Sequence, residues 1–212
     1  MSKPSGNCPS CGAPVQFRFS SSVQTTCEYC RSIVVRTDVD IQQVGKVADL
    51  PANSSPIQIG TEGVFNDKPF VVAGRIIYEY VQGNWNEWRL VFNDGVNGWL
   101  SDAQLEYDIS FQVGGTLPLP GPAEIEPGQT LSFHGKQYEV TSITRARYRG
   151  VEGELPFQYW DKTVTPFADL RTGAGDFGTL DYSEHPPLLF LGQVVDFDSL
   201  RLTNLRSFEG WS

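Results

Sequence analysis

The sequence predicts a mainly β protein, with an amino-terminal four-cysteine zinc ribbon followed by two small antiparallel β-barrel-like units. Three observations predict it. All four cysteines of the 212 residues lie at or before Cys30, as two C-x-x-C pairs. Long helical periodicity is absent, and apolar residues recur at period two between turn sequences such as Asn66-Asp67, Asn93-Asp94-Gly95, Gly114-Gly115 and His134-Gly135. The 21 Gly and 14 Pro punctuate the chain at the short intervals that short strands require. With 40% hydrophobic residues, including 5 Trp, 8 Tyr and 13 Phe, the chain has the apolar surface to form a core.

The ribbon comes first, over residues 1–36. Cys8-Pro9-Ser10-Cys11 and Cys27-Glu28-Tyr29-Cys30 give the spacing C-x2-C-x15-C-x2-C. Each pair forms a tight turn that aims two sulfurs at one point, and two such turns complete a tetrahedral thiolate shell of the kind zinc favours. Four protein ligands leave no open position for water or substrate, so the expected zinc is structural. Gly12 suits a knuckle that needs positive φ. Val15–Phe19 and Ser32–Arg36 read as ribbon strands. Two disulfides or a redox pair are the alternatives, and the doubled motif favours the metal.

Residues 37–56 are polar, closed by Pro56, and read as a linker with at most a short helical turn near Val44 to Leu50. The stretch Leu117-Pro118-Leu119-Pro120-Gly121-Pro122 reads as a stiff connector. It separates a first β unit (57–118) from a second (119–212). At an offset of 68 residues the two align without a gap, and Ile57/Ile125, Gly60/Gly128, Phe65/Phe133, Lys68/Lys136, Val72/Val140, Tyr80/Tyr148 and Val96/Val164 are identical. Phe70/Tyr138, Phe92/Trp160 and Trp99/Phe167 conserve aromaticity. A duplication follows, the alternative being one sheet whose hairpins look alike. Phe70, Val72, Gly74, Ile76, Tyr78 and Tyr80 are expected to share one strand face.

The ribbon, together with Glu87-Trp88-Arg89-Leu90, Gly98-Trp99-Leu100, Gly135-Lys136-Gln137-Tyr138-Glu139-Val140, Gly153-Glu154-Leu155-Pro156-Phe157 and Phe177-Gly178-Thr179-Leu180-Asp181-Tyr182, resembles a bacterial family known as a domain of unknown function. The likeness spans essentially the whole chain. The resemblance implies a zinc ribbon joined to a β-rich domain. It also implies gene neighbourhoods with phage-shock-type coiled-coil membrane-stress proteins, small membrane proteins and polyamine aminopropyltransferases. That context is membrane stress or polyamines, and it brings no catalytic residues with it.

Charge narrows the partners. The formal net charge of −9 argues against a whole-molecule grip on nucleic acid or anionic lipid. The ribbon carries Lys3, Arg18, Arg31 and Arg36 against Glu28, a small surplus that two thiolate charges nearly cancel. No apolar run reaches the ~18 residues of a membrane span and the start lacks a signal-peptide core, so the expected compartment is the cytoplasm.

No catalytic residue is assigned. His134 and His185 are the only histidines, no cysteine remains outside the ribbon, and neither a G-x-S-x-G elbow nor a Walker loop is present. Asp169, Asp176, Asp181 and Glu184 lie in a glycine-rich acidic stretch, expected as a loop without counterpart in the first copy. It would seat a hard cation or a polyamine. Arg145, Arg147 and Arg149 alternate, so one strand face would present an anion-reading stripe to an acidic partner. Trp85 and Trp88 form a contact patch if exposed and core if buried.

The expected function is therefore a non-enzymatic cytoplasmic adaptor with a structural zinc site. It would dock a protein partner such as a coiled coil at a stressed membrane. The alternatives are a cation- or polyamine-binding sensor, or a hydrolase or transferase using residues 169–184.

Overall fold

Two small sheets carry the cysteines. In a computed structural model, which describes residues 5–37, 41–46, 55–115, 117–158 and 163–207, β1 (Ser5–Asn7) pairs antiparallel with β2 (Pro14–Gln16) around the first C-x-x-C. The second C-x-x-C joins β3 (Gln24–Thr26) to β4 (Ser32–Arg36), and β5 (Ile41–Lys46) adds a third strand. The segment expected as a linker therefore contains a strand. Ile41 packs on the ribbon core of Val15, Phe17 and Val34, and Val44 packs on the barrel, which draws the chain into the sheet. The helical turn expected near Val44 is strand up to Lys46, and residues 47–50 lie outside the described residues.

The two units follow as matched strand sets. The first comprises β6 (Glu62–Phe65), β7 (Lys68–Tyr80), β8 (Gly83–Phe92), β9 (Asn97–Ala103) and β10 (Glu106–Gln112). The second comprises β11 (Thr130–Phe133), β12 (Lys136–Gly153), β13 (Thr165–Arg171), β14 (Asp176–Asp181) and β15 (Leu188–Val194). Each unit keeps its own core: Trp88, Leu90, Leu100 and Ile109 in the first, Val140, Leu170, Leu180 and Leu189 in the second. The units do not stand apart. All strands join one ten-stranded antiparallel sheet through β10–β15, and a further pairing of β7 with β12 closes eight of them into a ring.

The duplication reappears in hydrogen bonds. Gly60 N donates to Val72 O and Gly128 N to Val140 O, both at 2.8 Å. The offset of 68 residues holds into β7 and β12 and then becomes 80, because Val72 pairs with Leu90 while Val140 pairs with Leu170. Gly98/Gly178 and Leu100/Leu180 are then the true counterparts, in place of Trp99/Phe167 and Val96/Val164. Trp160 lies outside the described residues.

A β-bulge at the same point of each copy makes the ring two-faced. Between Val72 and Gly74 the register of β7 slips by one residue, as it does in β12 between Val140 and Ser142. Phe70 and Val72 therefore enter the first core, while Ile76 and Tyr78 turn to the ring interior, so the expected single stripe is split. Trp88 is fully buried core, and Trp85 is half-buried, stacked on Tyr78 at 5.0 Å. After β15 the chain returns to the first unit, where Leu200 of a short 3-10 turn (Asp198–Leu200) enters the core and Thr203 bridges to Glu62.

Candidate functional site

The four cysteine sulfurs all lie within 4.8 Å of one another and could hold a metal ion. The two knuckles are built alike. Gly12 N donates to Cys8 O at 2.8 Å and Arg31 N to Cys27 O at 2.9 Å, with both residues at positive φ. The backbone two residues after each second cysteine, at Ala13 and Ser32, hydrogen-bonds Cys11 and Cys30 sulfur. The Ser32 hydroxyl and then its backbone N–H hold the Cys30 thiol down at about 6. That favours the thiolate at Cys30, whereas Cys11, despite the backbone bond at Ala13, is pushed up to about 12 by the neighbouring thiols and burial.

The ring interior contains the second candidate. A cavity of about 550 Å³ is lined by β7 to β10, β13 to β15 and the segment Pro156–Gln158. Among the described residues, four carboxylates line it, Glu87, Asp108, Asp181 and Glu184, and no lining side chain is Lys, Arg or His. Aromatic walls come from Trp99, Phe157, Phe167, Phe177 and Phe190. Strand alternation explains the set: odd-numbered positions of β13 and β14 and even-numbered positions of β10 face inward.

Asp108 is the most telling member. It is 7% exposed, and its Oδ1 has no hydrogen-bond partner among the described residues. Burial pushes its carboxyl up to about 8, with Arg171 opposing and Asp169 and Glu106 adding to the rise. Burial also raises Glu87 well above the ordinary range, although its carboxyl keeps contact with the cavity, and Asp108 raises it further. Asp169 faces the same interior without being a lining residue of the cavity, raised by burial and held by the Ser142 hydroxyl at 2.8 Å. Arg171, the cation acting on this cluster, sits over Phe177 and 3.6 Å from Glu106.

The acidic stretch is a hairpin, not a loop. Thr172 to Gly175 form its turn, and β13 and β14 are the counterparts of β8 and β9. Asp169 and Asp181 face inward and Glu184 lies at the exposed mouth, whereas Asp176 faces outward, taking a 2.7 Å bond from Lys136 and one from Thr172. The arginines occupy the outer face of β12, opposite Ala146 and Tyr148. Glu79 accepts two bonds from Arg147 and lies 3.9 Å from Arg149, while Arg145 is exposed.

The ribbon is locked to the ring beside the cavity. Arg89, fully buried at the end of the interior face of β8, donates to Ser21 and Ser22 hydroxyls, to Glu154 O and to the cavity residue Asn97. The Glu154 carboxylate accepts the backbone N–H of Arg18 at 2.7 Å and of Phe19 at 3.2 Å. Gly74 lets this junction close, since a Cβ there would stand 2.1 Å from Glu154 O.

Residues 58–197 match the family described as a domain of unknown function, DUF4178. The chain belongs to this family. The DUF4178 domain runs from the start of the first unit to the end of β15, so it holds the whole ring and every lining residue of the cavity, while the cysteine ribbon precedes it. No curated protein and no solved structure matches the chain. No helix among the described residues is long and apolar enough to cross a membrane.

Sequence reasoning missed Glu87 and Asp108. The available signal was the alternation of Asp108, Ser110 and Gln112 with Tyr107, Ile109 and Phe111, which reads as a strand with a solvated face until the ring closes over that face.

Proposed function

We propose that this protein binds an organic cation of the polyamine class inside the DUF4178 ring and that the ribbon carries a structural zinc. The observation that carries the reading is Asp108, a buried carboxylate whose Oδ1 is unpaired among the described residues, on the wall of a cavity whose described lining holds further acids and no base. An unpaired buried acceptor costs free energy that a ligand N–H would recover. Aromatic faces suit the methylenes of such a ligand and attract its charge.

Zinc is supported by the sulfur separations of 3.7 Å for Cys8–Cys30 and 3.8 Å for Cys11–Cys27. Those match the edge of about 3.8 Å in a tetrahedron with ~2.3 Å zinc–sulfur bonds. The metal would hold the fold of a unit too small to hold itself.

The sensor reading is favoured over a protein-docking adaptor because Arg147 and Arg149 of the stripe already face Glu79, whereas Asp108 Oδ1 has no hydrogen-bond partner among the described residues. Calorimetric titration with spermidine and putrescine at pH 8.5 tests it. Saturable binding that Asp108→Asn abolishes is the expected result; equal heats from the wild type and the variant would remove the reading.

A further inference from the structure

We infer that the metal ribbon regulates the interior cavity by clamping the segment 154–158 that forms one of its walls. The inference rests on the cation-binding reading and adds its control.

The connection is short and continuous. Strand β3 ends one residue before the ligand Cys27, and it is this strand that holds the wall segment. Leu155 N donates to Gln24 O at 2.8 Å, and Leu155 O accepts from Val23 N at 2.8 Å and Gln24 N at 3.1 Å. One residue earlier, Glu154 takes the backbone N–H groups of Arg18 and Phe19, in the stretch between the two cysteine pairs. Two residues later, Phe157 stacks on Trp99 at 5.8 Å with 28° between the rings, and both line the cavity. Pro156 and Gln158 line it as well.

Among the described residues, the backbone partners of Glu154 and Leu155 are the ribbon on one side and Ala73 O, bonded by Glu154 N, on the other. The ribbon's order depends on its four thiolates holding one ion, because a unit of that size has too little core to stay folded alone. Release of the ion frees the chain between the knuckles, Leu155 loses its strand partner, and Phe157 is released from Trp99. Ile33 also leaves the central apolar cluster, which it shares with Leu155 and Tyr78. Removal of the ion by a chelator would in this way reach the cavity without any change in its acids.

The full-length protein, metal-loaded and chelator-stripped, is compared by hydrogen exchange and by spermidine titration, alongside the metal-loaded variant Glu154→Gln. Expected on stripping is faster exchange at 154–158 together with the ribbon, retained protection in β9, β10 and β14, and spermidine affinity reduced by about tenfold or more. Glu154→Gln is expected to keep its metal content, to exchange faster at 154–158 and to bind spermidine more weakly. It keeps the test decisive if stripping unfolds the whole chain. Unchanged exchange at 154–158 in both samples, with unchanged spermidine affinity, would overturn the clamp and leave the cation reading standing. Absence of spermidine binding in every sample would remove the cation reading, and exchange at 154–158 would still decide the clamp.

Discussion

Asp108 stands where stability and binding oppose one another. Its folded-state carboxyl is raised to about 8 by burial, while an exposed aspartate titrates near ~3.9. The folded protein therefore holds a proton that the unfolded chain has released. This contribution to stability is fully present below the unfolded value and is lost as the pH rises toward 8. Asp108→Asn removes the titration, so the variant is expected to gain stability relative to wild type between pH 6 and pH 9, read as a widening gap in melting temperature. A constant gap would show that Asp108 does not titrate in that window. Spermidine affinity is expected to move the other way, rising from pH 6 to pH 8 as Asp108 ionises while the primary amines stay charged. Glu87, Asp169, Glu106 and Arg171 face the same cluster, so the profile belongs to the group as a whole.

The β-bulges of β7 and β12 decide what each strand buries, and the clamp depends on the stretch just beyond the first bulge. Gly74→Ala would force a Cβ against the Glu154 carbonyl, a backbone atom that cannot swing away. The expected loss is about 1–3 kcal/mol in urea denaturation, with Gly114→Ala, which meets nothing within 4 Å, as the neutral comparison. The same elements mark how far the sequence could be read. The C-x-x-C knuckles, β4 and the copies at Ile57–Val72 and Ile125–Val140 were legible because their signals are local: spacing, alternation and turn glycines. The β13–β14 hairpin was hidden by Gly173 and Gly175, which made two strands and their turn look like one loop. With those strands in place, alternation alone would have sent Asp169 and Asp181 inward and Asp176 outward. The twelve-residue change of offset, and the closure that encloses Asp108, depend on the distant β7–β12 pairing, which leaves no pattern in either strand.

That pairing also makes the two units halves of one body. Without its partner, the first unit would present the open edges of β7 and β10, whose partners are β12 and β15. It would also lack Val195 and Leu200, which complete its core from the far end of the chain. Open edges with unpaired N–H and C=O groups drive intermolecular pairing. A chain split between the units, as 1–115 and 116–212, is therefore expected to give aggregated or unfolded fragments when each is made alone. Made together, they are expected to form a one-to-one complex with the strand signature of the intact protein. Size-exclusion chromatography and circular dichroism read both outcomes. A monomeric, folded 1–115 would mean that its core and edges are self-sufficient and that ring closure is incidental to stability. Recovery of spermidine binding only in the reconstituted complex would place the ligand between the halves, since Asp108 and Glu87 come from one fragment and Asp181 and Phe190 from the other.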